Sequence, residues 1–326
     1  MKSEGVQIAQ ALTLIGARPR LDNYGRLCGA ELIPLEELGR PRIDVVMTLS
    51  GIFRDLLPLQ TRMLAEASLL AAKADEPLDQ NFIRARSLAH QAKHDCDLET
   101  AALRVFSNAE GAYGANVNQL IDGGVWTDPD ELANAFETHK GFAYGVNGAP
   151  AQQRELLQSA LAGVELTYQN LESVEVGITD LDQYVDGLGG VSRSIAKAKG
   201  EAAPVYILDA TNGSAKVRTL AEQIDLETRS RTLNPKWYEG MLKHGYEGVR
   251  HIEGHVTNTM GWSATTGQVA PWVYQQISET FVLDEEMRAR LAELNPKSSA
   301  RVAGRLLEAC DRNLWEPDEA TLEALR

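Results

Sequence analysis

An α/β fold with a parallel-sheet core, abundant helices and a mostly helical C-terminal part is what this sequence predicts, and three observations carry that prediction. Two apolar runs, Ile43–Leu49 and Ala203–Asp209, have the β-branched composition of strands buried on both faces. Each is followed by a short polar loop and then by apolar residues at helical spacing, the signature of half a βαβ unit. From Asn234 to Arg326 the spacing is helical almost throughout.

Taken in order, Val6, Ala9, Leu12 and Ile15 form one stripe of a first helix, closed by Gly16 and Pro19. After the strand at 43–49, Ser50-Gly51 turns the chain. Leu59, Met63, Ala67, Leu70 and Ala71 then mark a helix starting at Leu56. Residues 79–139 read as mostly helical, with turns at Gly111, Gly114, Gly123-Gly124 and Asp128-Pro129. The glycine-rich stretch KGFAYGVNGAP at 140–150 predicts a border near residue 150, giving segments 1–150 and 151–326. The strand at 203–209 leads through Thr211-Asn212-Gly213-Ser214 into a helix bearing Val217, Leu220, Ala221 and Ile224. Further on, breaks are expected at Gly261, Gly267 and Asn295-Pro296.

Composition narrows the function classes. The 326 residues are 44% hydrophobic, enough for about two domains. A net charge of −14 repels phosphate backbones, so nucleic-acid binding is not expected. Cys28, Cys96 and Cys310 are an odd number without paired spacing, which fits a reducing compartment. There is no signal-peptide pattern and no apolar run of membrane-spanning length, so the expectation is a soluble cytoplasmic protein.

Several segments carry groups suited to chemistry, each with a plainer use. In Ser50-Gly51-Ile52-Phe53-Arg54-Asp55, Arg54 can grip a carboxylate; alternatively Asp55 caps the next helix and Arg54 pairs with a nearby acid. Arg104 through Gly114 combines a fixed cation, Tyr113 and flexible glycines that can border a flat ligand or turn between helices. Asp180 and Asp182 can offer oxygens to a hard cation, or Asp180 can cap a helix. Gly187–Gly190 lacks both the preceding strand and the lysine of a phosphate loop. Asn234-Pro235 is a helix start. His251 and His255 are four apart, as metal ligands on a helix would be, but Ile252 stands where a zinc-protease motif needs glutamate and Gly254 weakens the helix; a solvated pair is the plainer reading. Asn258–Gly267 brings small hydroxyls and an indole together around glycines.

Four of these segments, GRPRIDVVMTLSGIFRD at 39–55, RVFSNAEGAYGANVN at 104–118, NPKWYEGMLKHGYEGVR at 234–250 and TNTMGWSATTGQV at 257–269, occur in an order that resembles the large, porphyrin-binding subunits of the magnesium chelatase family. Cobaltochelatase large subunits are more distantly similar. The resemblance spans essentially all 326 residues and implies the C-terminal part of such a subunit, with an upstream region completing the porphyrin cavity. It implies a ligase that forms nitrogen–metal bonds, inserting Mg²⁺, its substrate, into protoporphyrin IX on the route to (bacterio)chlorophyll in photosynthesis. ATP is then hydrolysed by separate AAA+ and integrin-like partner subunits and is not bound here. A non-catalytic tetrapyrrole-binding or subunit-docking module and a cobaltochelatase fragment are the alternatives.

Metal insertion must strip water from Mg²⁺ and remove two pyrrole protons, so it calls for oxygen ligands and a base. By residue type, for that chemistry, the expected catalytic carboxylates are Glu247 and Asp55. Asp180 and Asp182 are the expected metal contacts, and His251 and His255 weaker ones. Arg54 and Arg104 are expected to take the propionates, with Asn258 also on the substrate. Tyr113, Trp237 and Trp262 are expected to flank the flat ring.

Overall fold

The structure, a computed structural model, describes residues 5–147, 149–213 and 215–326; residues 1–4, Gly148 and Ser214 lie outside the described residues. The chain divides into two units, each assembled from three stretches. Unit 1 comprises Met1–Asn116, Ala133–Val164 and Ser194–Glu201, and unit 2 comprises Val117–Leu132, Glu165–Arg193 and Ala202–Arg326. The border expected near residue 150 falls inside the second stretch of unit 1.

Unit 1 opens with the helix Val6–Ile15, ended by Gly16 in the left-handed conformation as the sequence predicts. Its buried face is Ala11, Leu12 and Ile15, while Ala9 points to solvent. Strands β1 (Ala17–Leu21) and β2 (Leu27–Leu32) form an antiparallel hairpin. A second sheet has the order β3 (Met47–Thr48), β4 (Val105–Ser107), β5 (Phe142–Ala143), β6 (Ala151–Gln152). Its β3–β4 pair is parallel and the remaining pairs are antiparallel. Of the seven-residue run at 43–49 only Met47–Thr48 is strand. The helix after β3 begins at Gly51, not Leu56, because the Ser50 hydroxyl accepts from the Phe53 N–H at 3.1 Å and caps it. A longer helix follows over Pro58–Lys73 and buries Met63, Ala67 and Ala71, leaving Leu59 exposed. Ile15, Ala30, Met47, Ala67, Ile83 and Val105 meet in one core.

Unit 2 contains a three-stranded sheet, β7 (Thr167–Asn170), β8 (Val205–Asp209) and β9 (Lys216–Thr219), with β7–β8 parallel and β8–β9 antiparallel. Val217, expected on a helix, lies in β9 and is exposed; the helix starts at Leu220 because Thr219 and Glu222 cap it reciprocally. Most of unit 2 is helix packed around Tyr246–Thr266, which runs 21 residues and is buried on every side over its second half. The polar residues there are satisfied locally: the Thr259 hydroxyl donates to the His255 carbonyl and Thr265 to Gly261, both at 2.8 Å. Neither Gly254 nor Gly261 breaks this helix. Gly261 instead permits close packing, since a Cβ there would lie 2.9 Å from Val185 in the π-helical turn Val185–Gly189. The expected break at Gly267 is present as a left-handed cap, and Asn295 caps the helix Pro296–Asp311.

The α/β class is as the sequence predicts. The parallel-sheet element is confined to β3–β4 and β7–β8 within small mixed sheets.

Candidate functional site

A cleft of about 370 Å³ opens in unit 2, beside residues 247–261 of the Tyr246–Thr266 helix. It collects five of the residues singled out from sequence: Asp180, Asp182, Glu247, His251 and Asn258. Asn118, Asp122, Glu253 and Arg301 join them. Of its five carboxylates, four are ion-paired: Asp180 with Arg231, Glu247 with Arg250, Asp122 with Arg301 and Arg305, and Glu253 with Arg301. Among the described residues Asp182 is thus the lining carboxylate left without an ion pair and open to a cation.

The wall carrying Asp180 and Asp182 is the segment Gly177–Asp182, which is held from several sides. The buried Glu227 carboxylate accepts from the Ile178 N–H at 3.0 Å, the Thr179 N–H at 2.9 Å and the Thr179 hydroxyl at 2.6 Å. It also accepts from the Gln223 amide at 2.7 Å. One face of the long helix completes the grip: Asn258 donates to the Thr179 carbonyl at 2.9 Å, and the Trp262 indole donates to that of Ile178 at 3.0 Å. Gly177 admits this arrangement, because a Cβ there would collide with the Glu227 carboxyl.

Asp180 caps no helix. One of its oxygens pairs with Arg231 and accepts from the Gly177 N–H, and the other meets His255 Nε2 at 2.5 Å. Burial pushes the His255 imidazole down to about 4, so at neutral pH the ring is uncharged. The Thr232 hydroxyl then donates to Nδ1 at 3.1 Å while Nε2–H donates to Asp180. Arg231 and Thr232 both come from the π-helical turn Thr228–Thr232. Asp182 is less committed. One oxygen accepts from the Asn118 amide at 2.7 Å.

His251 and His255 do share a continuous helix, but their environments are opposite: His251 is exposed at the cleft, and His255 is enclosed with both nitrogens engaged. Among the described residues no group of three or more His, Cys, Asp or Glu is arranged to hold a metal ion. Asp180, Asp182, His251 and His255 therefore do not form a resident metal cage. Glu247 sits at the rim, more than half exposed, with Arg250 at 3.1 Å.

The remaining candidates lie elsewhere. In unit 1, Arg54 is 5% exposed and donates to the carbonyls of Asn108 at 2.9 Å and Ala109 at 2.7 Å and to Asp55 at 2.7 Å. Asp55 also accepts from the exposed Tyr113 hydroxyl at 2.6 Å, and these donors hold its carboxyl below the usual carboxylate range. Arg54 thus fastens the 108–112 loop; its Nη2 has no hydrogen-bond partner but is buried, so burial closes the guanidinium to a propionate. Arg104 is likewise enclosed, donating to Asp44 at 2.8 Å and to the Ala101 carbonyl at 2.8 Å. In unit 2, Trp262 is fully buried with no ring face open to a macrocycle. Trp237 is partly buried, its ring 4.7 Å from that of His255. These placements remove Arg54, Arg104 and Trp262 from direct contact with a substrate.

Sequence reasoning missed Asn118, Asp122, Glu253 and Arg301, which reach the cleft from distant segments, and Glu227, which clamps its wall. Glu253 offered a signal, lying between the two histidines on the same helix, and Asn118 closes the 104–118 segment.

Comparison with known proteins accounts for the chain as a whole. The family described as CobN/Magnesium Chelatase matches residues 1–322. The magnesium-chelatase H subunit of Cereibacter sphaeroides is 65% identical over the whole chain, which covers 27% of that relative. Its counterpart in Rhodobacter capsulatus is 66% identical over the whole chain and 28% of its own length. Among solved structures, the catalytic subunit of cobaltochelatase from Mycobacterium tuberculosis superposes with a TM-score of 0.93 at 36% identity, over 98% of this chain and 27% of that one. The chain thus spans little more than a quarter of the length of the relatives it matches. Among the described residues no helix is long and apolar enough to cross a membrane. A family match that runs through both units, with a fold shared at this level, means that the chain belongs to the CobN/magnesium chelatase family.

Proposed function

We propose that this chain forms one wall of the cavity in which a magnesium chelatase large subunit inserts Mg²⁺ into protoporphyrin IX, with ATP hydrolysed by separate AAA+ and integrin-like partner subunits. The observation that carries this reading is the acidic cleft of unit 2, which gathers Asp180, Asp182, Glu247, His251 and Asn258 from two segments onto one surface. Identity of 65% and 66% to relatives named for magnesium, against 36% to a cobaltochelatase subunit, supports magnesium as the metal.

Insertion replaces water on Mg²⁺ by ring nitrogens and releases two pyrrole protons. Mg²⁺ dehydrates reluctantly and prefers one or two carboxylates together with retained water. A wall with Asp182 only partly engaged and Glu247 open at the rim can hold a hydrated ion briefly without trapping it. The fixed Asp180–His255 pair shapes the wall. Glu247, in contact with solvent, is placed to pass a pyrrole proton to water.

The test is Glu247→Gln in the full-length protein, assayed for magnesium insertion in the reconstituted complex. A fall of about tenfold or more in the steady-state rate, with porphyrin binding retained, is expected for a lost base. An unchanged rate would remove Glu247 from the chemistry.

A further inference from the structure

Beside the acidic cleft, the helix Pro296–Asp311 presents a shallow furrow. Lys297, Arg301 and Arg305 line it together with Glu308, which pairs with Arg305, and the small residues Ala300 and Gly304 form its floor. In a chain of net charge −14 this is a local concentration of cations. The three are not equivalent. Lys297 is exposed and has no ion-pair partner among the described residues. Arg301 lines both the furrow and the cleft, its Nη2 on Asp122 at 2.5 Å and its Nε 3.4 Å from Glu253. Arg305 is 7% exposed, bound to Glu308 and the Asp122 carbonyl, yet its Nε is buried without a hydrogen-bond partner. The furrow thus keeps one uncommitted cation, Lys297, at its rim.

We propose that Lys297 and Arg301 hold the carboxylate edge of the tetrapyrrole while its nitrogen centre faces the acids of the adjoining cleft. The inference rests on the porphyrin reading above and replaces the arginines expected from sequence, Arg54 and Arg104, both of which are closed. Lys297 and Arg301 are one helical turn apart, so their side chains rise on the same face roughly 6 Å from each other, a spacing that suits two carboxylate arms on one edge of a macrocycle. Charge favours this orientation: the unpaired Asp182 in the cleft attracts the metal and repels carboxylates, and the unpaired Lys297 on the furrow does the reverse. Arg301, shared by both surfaces, can exchange Asp122 for a substrate carboxylate without leaving its place, and a guanidinium takes a carboxylate through two parallel N–H donors.

The experiment titrates the full-length protein, wild type, Lys297→Ala and Lys297→Glu, with deuteroporphyrin and with the same porphyrin after both carboxylates are amidated, following fluorescence. Arg301→Ala is measured alongside with its unfolding midpoint. The expected result is weaker binding of the dicarboxylate, about tenfold for Lys297→Glu and less for Lys297→Ala, with the diamide unaffected. Raising salt should narrow the difference. Equal affinities of all forms for the dicarboxylate would overturn the assignment while leaving the porphyrin reading intact. Equal weakening of both porphyrins would overturn it as well, since charge recognition would not be involved. If the wild-type protein binds neither porphyrin, the underlying reading fails with it.

Discussion

The loop after β3 in unit 1 and the Gly177–Asp182 segment in unit 2 contain the same ingredients: aspartates, a nearby arginine, an aromatic hydroxyl or indole, and glycines. They use them in opposite ways. In the first, Arg54 turns inward and is consumed by backbone carbonyls, so the charged group is a fastener. In the second, the fasteners are Glu227, Arg231, Asn258 and Trp262, and the aspartates they fix reach a cleft. A buried charge that satisfies backbone groups builds a wall, and function falls to the less committed groups on its open side.

This contrast can be broken by removing the fasteners. The largest effect is expected for Glu227→Ala, which leaves two backbone N–H groups and a hydroxyl without their acceptor inside unit 2. A loss of about 4 kcal/mol in chemical denaturation is expected, since each orphaned buried group costs roughly 1–3 kcal/mol. A loss near zero would mean that the segment is held by other contacts. Arg54→Ala should follow, at about 2 kcal/mol, because it strips the Ala109 carbonyl of its donor inside unit 1, while the Asn108 carbonyl keeps the Tyr144 hydroxyl at 2.6 Å. If that variant instead kept full stability and lost porphyrin affinity, the closed reading of Arg54 would be wrong.

A gentler perturbation is pH. His255 has its proton affinity lowered by burial from the ordinary 6.5 to about 4, so between those values the unfolded chain binds a proton that the folded one refuses. Its contribution is intact above about 6.5 and is lost progressively as the pH falls through about 4. Urea midpoints measured at pH 8 and pH 5 should therefore separate in the wild type and converge in His255→Gln. An unaltered separation would assign the acid sensitivity to other groups.

How much of this is legible in the sequence depends on the range of the interaction. Caps and periodic stripes are local, so the first helix, its Gly16 stop and the Asn234 and Asn295 starts are readable. Strand β4 is not, because three residues are too few to alternate and its burial comes from partners far away in sequence. The break expected at Gly261 fails for a related reason: the contact that favours glycine there is Val185, which no local pattern announces. In the site, residue types at 180, 182, 247, 251 and 258 are recognisable as polar groups with a use. Whether a side chain faces the cleft or the interior is decided by tertiary partners, which is why Arg104 and Trp262 look like ligand contacts in sequence and Arg301 goes unnoticed.

The central claim is that the open carboxylates of the unit 2 cleft, rather than the fastened charges, carry the ion into the ring. Its most direct test is the magnesium insertion rate of the full-length protein bearing Asp182→Asn, taken with its unfolding midpoint. The expected result is a rate reduced about tenfold or more at an unchanged midpoint. Insertion at the wild-type rate by a folded Asp182→Asn protein would contradict it.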